Sequence, residues 1–530
     1  MFATNKLGRD DMSTHTTGKR FYFWAAVSGL VGGAVFLAIA ELAALLFSST
    51  SSPILAVGSF VIDIVPRPLK EFAISTFGEY DKIALLAGLG LAVVIASAIA
   101  GILEYIRPPL GVIALVLAGI LSGAAILTRA EATALAFLPP LLGTLAGAAI
   151  LFFLGRRLRA WRDAHLADAD AREDGLDRRR FLLMTGIAGV SALVVGVAAR
   201  TVSAATASAD AIRRALKLPA PKSKVTIPSG AELDVKGISP LITPNADFYR
   251  VDTALTVPNI DPSTWRLVID GMVDKRVELS FQDLLDMGLD EYAITLTCVS
   301  NEVGGNLVGN AIWQGVPLRD VLKMAGPKSG ADMILSTSID GYTASTPLSA
   351  GTDENIDAIL AVAMNGEPLP PEHGFPVRMV IPGLYGYVSA TKWVTELKIT
   401  TFADDQAYWT PRGYSAEAPI KFSSRVDTPK SGSPVKAGTV PIAGVAWAQT
   451  VGIERVEVSI DNGEWMPAKL SNPINKDTWV QWVLEWDATP GTHYVAVRAI
   501  NKNGDMQVEE RAAIAPNGSS GWQRSLVTVS

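Results

Sequence analysis

The residue best suited to chemistry in this chain is Cys298, the single cysteine among 530 residues. Ile294, Leu296 and Cys298 alternate along the sequence YAITLTC, which predicts a strand, and the turn-rich SNEVGGN that follows breaks the pattern and exposes whatever the thiol presents. One cysteine makes no internal disulfide, so this thiol is inert packing, a nucleophile or a metal ligand. Downstream stand His373 and Lys392. Alone, the first fits a hydrogen-bonded core imidazole as well as a ligand contact, and the second a solvated surface charge.

The elements that must position these residues fall into two halves. Residues 1–200 carry 18 Lys and Arg against 15 Asp and Glu, a net of +3, while the remainder carries 28 against 37, a net of −9. With a positive mean hydropathy, that split predicts a membrane anchor followed by an acidic region. An acidic surface argues against a nucleic-acid partner, because phosphate binding needs clustered cations.

Five apolar runs are long enough to cross a hydrocarbon core: residues 21–47, 83–103, 110–127, 134–154 and 181–199. Small-residue spacings such as Gly29/Gly33, Gly119/Gly123 and Gly143/Gly147 allow close helix approach. The stretch Ile54 to Val65, ending in PRP, is too short to span and reads as a loop or an interfacial segment. Lys6, Arg9, Lys19 and Arg20 precede the first run; Arg156, Arg157, Arg159, Arg162, Arg172 and Arg178 to Arg180 lie between the fourth and fifth. Five spans put both cation clusters on one side, so residues 1–20 are predicted cytoplasmic and everything after Ala199 extracytoplasmic. Asp177 to Leu183, DRRRFLL, resembles a twin-arginine export signal placed inside the chain.

Beyond the last span, residues 201–229 read as an Ala/Lys/Pro/Ser-rich tether with a helical piece at Asp210 to Leu218. Residues 230–430 mix short strands with helical pieces such as Phe281 to Met287 and Leu318 to Met324, predicting an α+β domain. Residues 431–530 hold strands only, separated by turn signals such as Asp461-Asn462-Gly463, and predict an all-β immunoglobulin-like sandwich.

The segment NGEPLPPEHGFPVRMVIPGLYGYVSATKW, Asn365 to Trp393, resembles the molybdenum-cofactor domain of sulfite oxidases and assimilatory nitrate reductases. FYRVDTALTVPNIDPSTWRLVIDG from Phe248, the TLTC strand with Gly315 to Leu318 after it, and Tyr408 to Tyr414 match in the same order, so the resemblance runs from about Ile238 to the C-terminus. It implies that Cys298 is the protein thiolate on one molybdenum-molybdopterin per chain, a soft donor that tunes the metal. It implies cofactor contacts at Asp340, His373, Arg378, Ala390, Thr391 and Lys392. It places an anion-binding Arg250 and a Tyr414 in the substrate pocket, with Arg412 adding positive field.

The implied reaction is oxygen-atom transfer on a small oxyanion such as sulfite or on an S- or N-oxide, with the cofactor carrying the chemistry. Electrons are expected to reach a separate cytochrome or quinone partner, since no haem-binding or flavin stretch is recognised. The sandwich resembles the family's dimerisation domain, which implies a homodimer, and the helices imply contact with membrane lipid. The chain departs from the family at Asp252, where sulfite oxidases carry histidine, and at Asn301-Glu302, where they carry arginine; both lower the positive potential of the pocket. Two alternatives follow. A methionine-sulfoxide repair reductase suits a less cationic pocket, although the bacterial repair enzymes lack the sandwich. A non-catalytic membrane-held binding protein on an enzyme scaffold is opposed by the joint retention of Cys298, Arg250, His373, Arg378, Lys392 and Tyr414.

Overall fold

A computed structural model describes residues 7–47, 52–66, 69, 72, 76–77, 81–129, 132, 135–166, 171–206 and 209–530. Lys6 with the first six residues of the expected tail, Ala134 at the start of the fourth expected span, and residues 207–208 of the expected tether lie outside that set. The chain divides into two compact units, residues 1–208 with 254–256, and residues 209–253 with 257–530.

The first unit is helical: α1 Leu7–Phe47, α2 Pro53–Ile64, α3 Asp81–Ile106, α4 Leu110–Leu127, α5 Leu138–Leu166 and α6 Ala171–Thr206. Among the described residues five of these are long and apolar enough to cross a membrane, over Lys19–Leu45, Lys82–Ile106, Leu110–Leu127, Leu138–Leu166 and Arg178–Val197. Their helices overrun the apolar cores because polar flanks such as Arg9 to Arg20 also keep helical hydrogen bonds. Helices α1 and α3 touch backbone to backbone, and a Cβ on Gly29 would fall 1.9 Å from the Ser97 carbonyl oxygen. Of the two readings of the Ile54 to Val65 stretch the loop is overturned: it forms helix α2, twelve residues with Pro53 in its first turn. The buried Glu104 carboxylate accepts from the Val112 amide at the start of α4 (3.2 Å) and faces Arg159 of α5 (3.8 Å).

The second unit opens with α7, Ala209–Ala215. The rest of the expected tether is not loose: Gln314 Nε2 donates to Pro219 O (2.9 Å), Lys222 N to Leu289 O (2.7 Å) and Glu291 N to Ser223 O (3.1 Å). Extended prolines leave main-chain groups unpaired, and here those groups find partners on the domain surface.

The α+β region has two sheets. One has strand order β2-β1-β10-β5-β6, from β1 Arg266–Gly271, β2 Val277–Ser280, β5 Met333–Ser338, β6 Thr343–Pro347 and β10 Val394–Thr400. The other runs β3-β4-β7-β8, from β3 Asp290–Thr297, β4 Val308–Pro317, β7 Ile359–Met364 and β8 Glu367–Pro368, with β9 Arg378–Val380 pairing β7. Strand β7, ILAVAM, is buried at every position, and its continuous apolar run is what a strand covered on both faces requires. Helix α8, Phe281–Asp286, is started by a reciprocal Ser280–Asp283 capping box, and α9, Leu318–Ala325, ends at left-handed Gly326.

Two four-stranded antiparallel sheets make the C-terminal sandwich, from β11 Ser423–Thr428, β12 Gly438–Trp447, β13 Ile453–Ile460, β14 Met466–Pro467, β15 Lys469–Leu470, β16 Val480–Ala488, β17 Gly491–Asn501 and β18 Gln523–Val529, in the orders β11-β12-β16-β15 and β14-β13-β17-β18. Alternate residues such as Val456 and Val458, Val495 and Val497, and Trp482 fill the layer between them. The expected boundary at residue 431 falls too late: β11, Ser423–Thr428, pairs with β12, Gly438–Trp447. Its polar sequence SSRVDT hides the strand because Ser424, Arg425 and Asp427 bury polar rather than apolar groups.

Candidate active site

Cys298 follows β3 directly and is 8% exposed. Its amide donates to Leu307 O (2.9 Å) and its carbonyl accepts from Asn301 N (3.0 Å), so the strand continues into a closed loop. Burial raises the thiol pKa; hydrogen bonds from the Ser300 amide and hydroxyl and the charge of Lys392 pull the other way. Three phenols feel the thiol. Tyr249 and Tyr342 are pushed well up, first by burial and then by Cys298, and Tyr385 is pushed up to about 12 by burial. All three therefore remain protonated and able to donate.

A second group of residues comes from the HGFPVR…TKW block. His373 closes a 3-10 turn, Pro371–His373, and is buried. Its Nε2 lies 3.1 Å from Asn245 O, which makes Nε2 the protonated nitrogen, and buried Nδ1 has no hydrogen-bond partner among the described residues. Burial, with Arg378 and Lys392 nearby, holds the ring's pKa down to about 4. The imidazole is neutral and offers one unused acceptor. Gly374 follows at φ +113°, and a Cβ there would press on Arg378 Cβ (3.0 Å) and Lys392 Cβ (3.2 Å), so only glycine lets the two cationic side chains converge.

Arg378 starts β9 fully enclosed. Its guanidinium donates to His373 O (3.1 Å), Ala390 O (3.3 Å) and, less well aligned, Met379 O (3.4 Å), and lies 5.0 Å over Trp313. No carboxylate among the described residues pairs with it, and burial alone draws its pKa down to about 10. Lys392 differs: Nζ binds Asp252 Oδ2 (2.9 Å) and Glu372 O (3.0 Å), while burial brings its pKa to about 8. The same Asp252 oxygen receives Arg250 Nε at 2.9 Å, so one buried carboxylate bridges the two cations.

The remaining expected residues are placed as follows. Asp340 accepts from the Tyr342 amide (3.2 Å) and the Thr253 hydroxyl (3.5 Å), beside a phenol that senses Cys298. The Thr391 hydroxyl pairs with Ser336 (2.7 Å), and Ala390 contributes its carbonyl to Arg378. Tyr414 stacks edgewise on Tyr387 (5.7 Å) and packs on the cluster holding Val299, the residue after the cysteine. Arg412 is tied to Tyr408, over whose ring it lies at 3.7 Å. Asn301 turns inward, its Oδ1 accepting from Leu307 N (2.9 Å), and Glu302 is exposed. That asparagine therefore shapes the loop.

Sequence reasoning missed Tyr249, Tyr342 and Tyr385 as the wall around the thiol. Tyr249 and Tyr385 lie inside the quoted FYR and PGLYGY pieces; Tyr342 carries no such signal. It also missed the double role of Asp252.

The residues fit a molybdenum-pterin group. Among the described residues no set of three or more His, Cys, Asp or Glu can hold a metal, so a metal on Cys298 must bring other ligands with it. An orphaned acceptor at His373 Nδ1, a buried guanidinium without a carboxylate and a buried thiol are the complementary surfaces for such a group.

A family model described as the oxidoreductase molybdopterin binding domain matches residues 254–409, and one described as a bacterial Ig domain matches residues 423–497. Mitochondrial sulfite oxidase of Homo sapiens is 30% identical over 342 residues, covering 54% of this chain and 62% of that protein. Sulfite oxidase of Arabidopsis thaliana is 29% identical over 333 residues, covering 51% and 84%. The solved sulfane dehydrogenase SoxCD of Paracoccus pantotrophus overlays with a TM-score of 0.49 at 25% identity, covering 55% of this chain and 82% of that one. The chain thus spans less than two thirds of the human protein it resembles.

Proposed function

We propose that the chain, which resembles the sulfite oxidase family of molybdopterin-dependent oxidoreductases, is a membrane-anchored enzyme acting by oxygen-atom transfer on a small oxyanion such as sulfite. The observation that carries the proposal is the convergence of the buried Cys298 thiol with Arg378, Lys392 and the bare His373 Nδ1. In this reading Cys298 ligates molybdenum, and one cofactor binds per chain. When bound, the cofactor supplies the two-electron oxygen-transfer chemistry.

The chain's own residues then divide the work. Arg378 and Lys392 hold the anionic end of the cofactor, since a desolvated cation is strongest toward a phosphate. His373 accepts a hydrogen bond at Nδ1, and Asp340, Ala390 and Thr391 offer polar contacts along the same wall. Tyr249, Tyr342 and Tyr385 close off water and keep their protons. Arg250, with 38% of its side chain exposed, receives the oxyanion, and Tyr414 directs one hydrogen bond toward it. Arg412 contributes field only. Asp252 weakens the attraction for a dianion by occupying Arg250 and Lys392, which favours a singly charged or weakly charged substrate; an S- or N-oxide is the second reading on this ground.

Five helices long and apolar enough to cross a membrane, with cations at Lys19, Arg20 and Arg156 to Arg180, support an extracytoplasmic catalytic domain; the family resemblance supports a separate cytochrome or quinone as electron partner and a homodimer through the sandwich. Metal and pterin analysis tests the core of the proposal. The protein from a cofactor-competent host should hold about one molybdenum per chain, Cys298→Ser should hold almost none, and a folded, metal-free wild type overturns the assignment. A reporter fused after Ala199 that is active only in the cytoplasm overturns the topology.

A further inference from the structure

Strand β3, which leads directly into Cys298, is the outer strand of its sheet. An edge strand leaves a row of main-chain groups to be satisfied, and here the sandwich satisfies them. Thr295 N donates to Asp477 O (3.0 Å), Trp479 N to Thr295 Oγ1 (2.8 Å), Gln449 Nε2 to Thr295 O (3.1 Å) and Asn475 Nδ2 to Ala293 O (2.9 Å).

The loop after the cysteine is gripped in the same way. Ser519 Oγ donates to Asn301 O (2.6 Å), and Arg425 donates to Gly305 O (2.9 Å). Arg425 is itself fixed by Asp427 (2.6 Å) and the Ser239 hydroxyl (2.8 Å), so it presents a rigid donor. Gly304, at φ +81°, lies against Gln523, whose Cδ would be 2.8 Å from any Cβ added there. A loop with two adjacent glycines has high conformational entropy of its own. External donors add to the loop's own bonds, such as Gly305 N to Glu302 O (2.8 Å) and Leu307 N to Asn301 Oδ1 (2.9 Å), in keeping it in one shape.

We propose that the C-terminal sandwich is a positioning device for Cys298, in which Ser519 and Arg425 lock the loop so that the thiol points in a single direction. Its consequence for molybdenum rests on the reading of Cys298 as the metal ligand. The lock itself acts on the thiol whether or not metal is present. Ser519 and Arg425 are positioning residues, and touch neither substrate nor cofactor.

The single cysteine makes the test clean. Full-length protein purified from a host that cannot make the cofactor is treated with iodoacetamide, and alkylation of Cys298 is followed by mass. Loss of one hydrogen bond in Ser519→Ala should speed alkylation about fivefold, with the wild-type rate restored in Ser519→Thr, which keeps the hydroxyl. Arg425→Gln should be faster still, and Ser519→Ala carries the test alone if that variant does not fold. Val458→Ala removes sandwich core volume without touching the loop; it should lower Tm and leave the alkylation rate unchanged. Equal rates in wild type and Ser519→Ala, or rates that follow Tm across all variants, overturn the proposal. An unchanged molybdenum content, from a cofactor-competent host, in a variant that alkylates faster overturns the consequence for the metal and supports the lock on the thiol. A wild type that takes up no molybdenum overturns the metal assignment instead, and leaves the alkylation comparison standing.

Discussion

Arg378 and Lys392 lie against the same glycine, yet their surroundings are opposite. Arg378 is met by three carbonyls and the face of Trp313; Lys392 is met by a carboxylate that also holds Arg250. The first side of the site keeps an uncompensated positive charge out of water, and the second has half of its charge cancelled, two cations sharing one carboxylate. A cation buried without a carboxylate costs stability and awaits an anion, which is the expected state of a cofactor-phosphate site. A bridged pair of cations is partly satisfied, so in the proposed reading the side nearer solvent discriminates among substrates more than it attracts them.

Perturbing each side should give effects of different size and sign. Removing the uncompensated charge is expected to matter most: Arg378→Met should weaken cofactor retention by roughly 3–5 kcal/mol, read as near-complete loss of pterin fluorescence and molybdenum from the purified protein. Retention at the wild-type level would break the contrast between the two sides. The neighbouring imidazole gives a pH effect. In the unfolded chain His373 binds a proton below about 6.5, whereas in the fold it stays neutral down to about 4, so stability falls as pH drops through that window. The loss is roughly 3 kcal/mol, measurable by urea unfolding of metal-free protein, and His373→Gln should flatten it.

On the bridged side, Arg250→Gln should raise KM for an anionic substrate about tenfold, since a charge-assisted contact is worth roughly 1.5–3 kcal/mol. Asp252→Asn should act in the opposite direction and more weakly, lowering KM for a dianion severalfold while leaving a neutral S-oxide unaffected. The same change removes a partner that raises Lys392, so the lysine should titrate below its present value of about 8. An alkaline limb of anion binding would move down accordingly. If Asp252→Asn raised KM for sulfite, the carboxylate would be assisting substrate rather than screening it.

What could be read from residues alone follows a physical line. The HGFPVR…TKW block was legible because one continuous stretch, from the turn ending at His373 through β9 to Lys392, supplies His373, Gly374, Arg378 and Lys392, leaving a contiguous signature. The membrane-length helices were legible because apolar run length is a direct requirement of the bilayer, whereas α2 was hidden by its length and by the prolines after it. Contacts made across the chain leave no local trace. Asp252 reaches Lys392 over 140 residues, and nothing around it announces a bridge. Strand β11 was assigned to the wrong domain because its buried arginine and aspartate mimic an exposed, polar segment.

The grip of Ser519 on Asn301 spans 218 residues of chain. At 5–20 residues per second of synthesis, that separation is roughly 10–40 s on the ribosome. During that interval the thiol loop exists without the hydroxyl that completes it. If Cys298 is the metal ligand, cofactor insertion follows the synthesis of residue 519, and a ribosome stalled before it leaves a thiol loop reached by Arg425 but lacking the Ser519 hydroxyl.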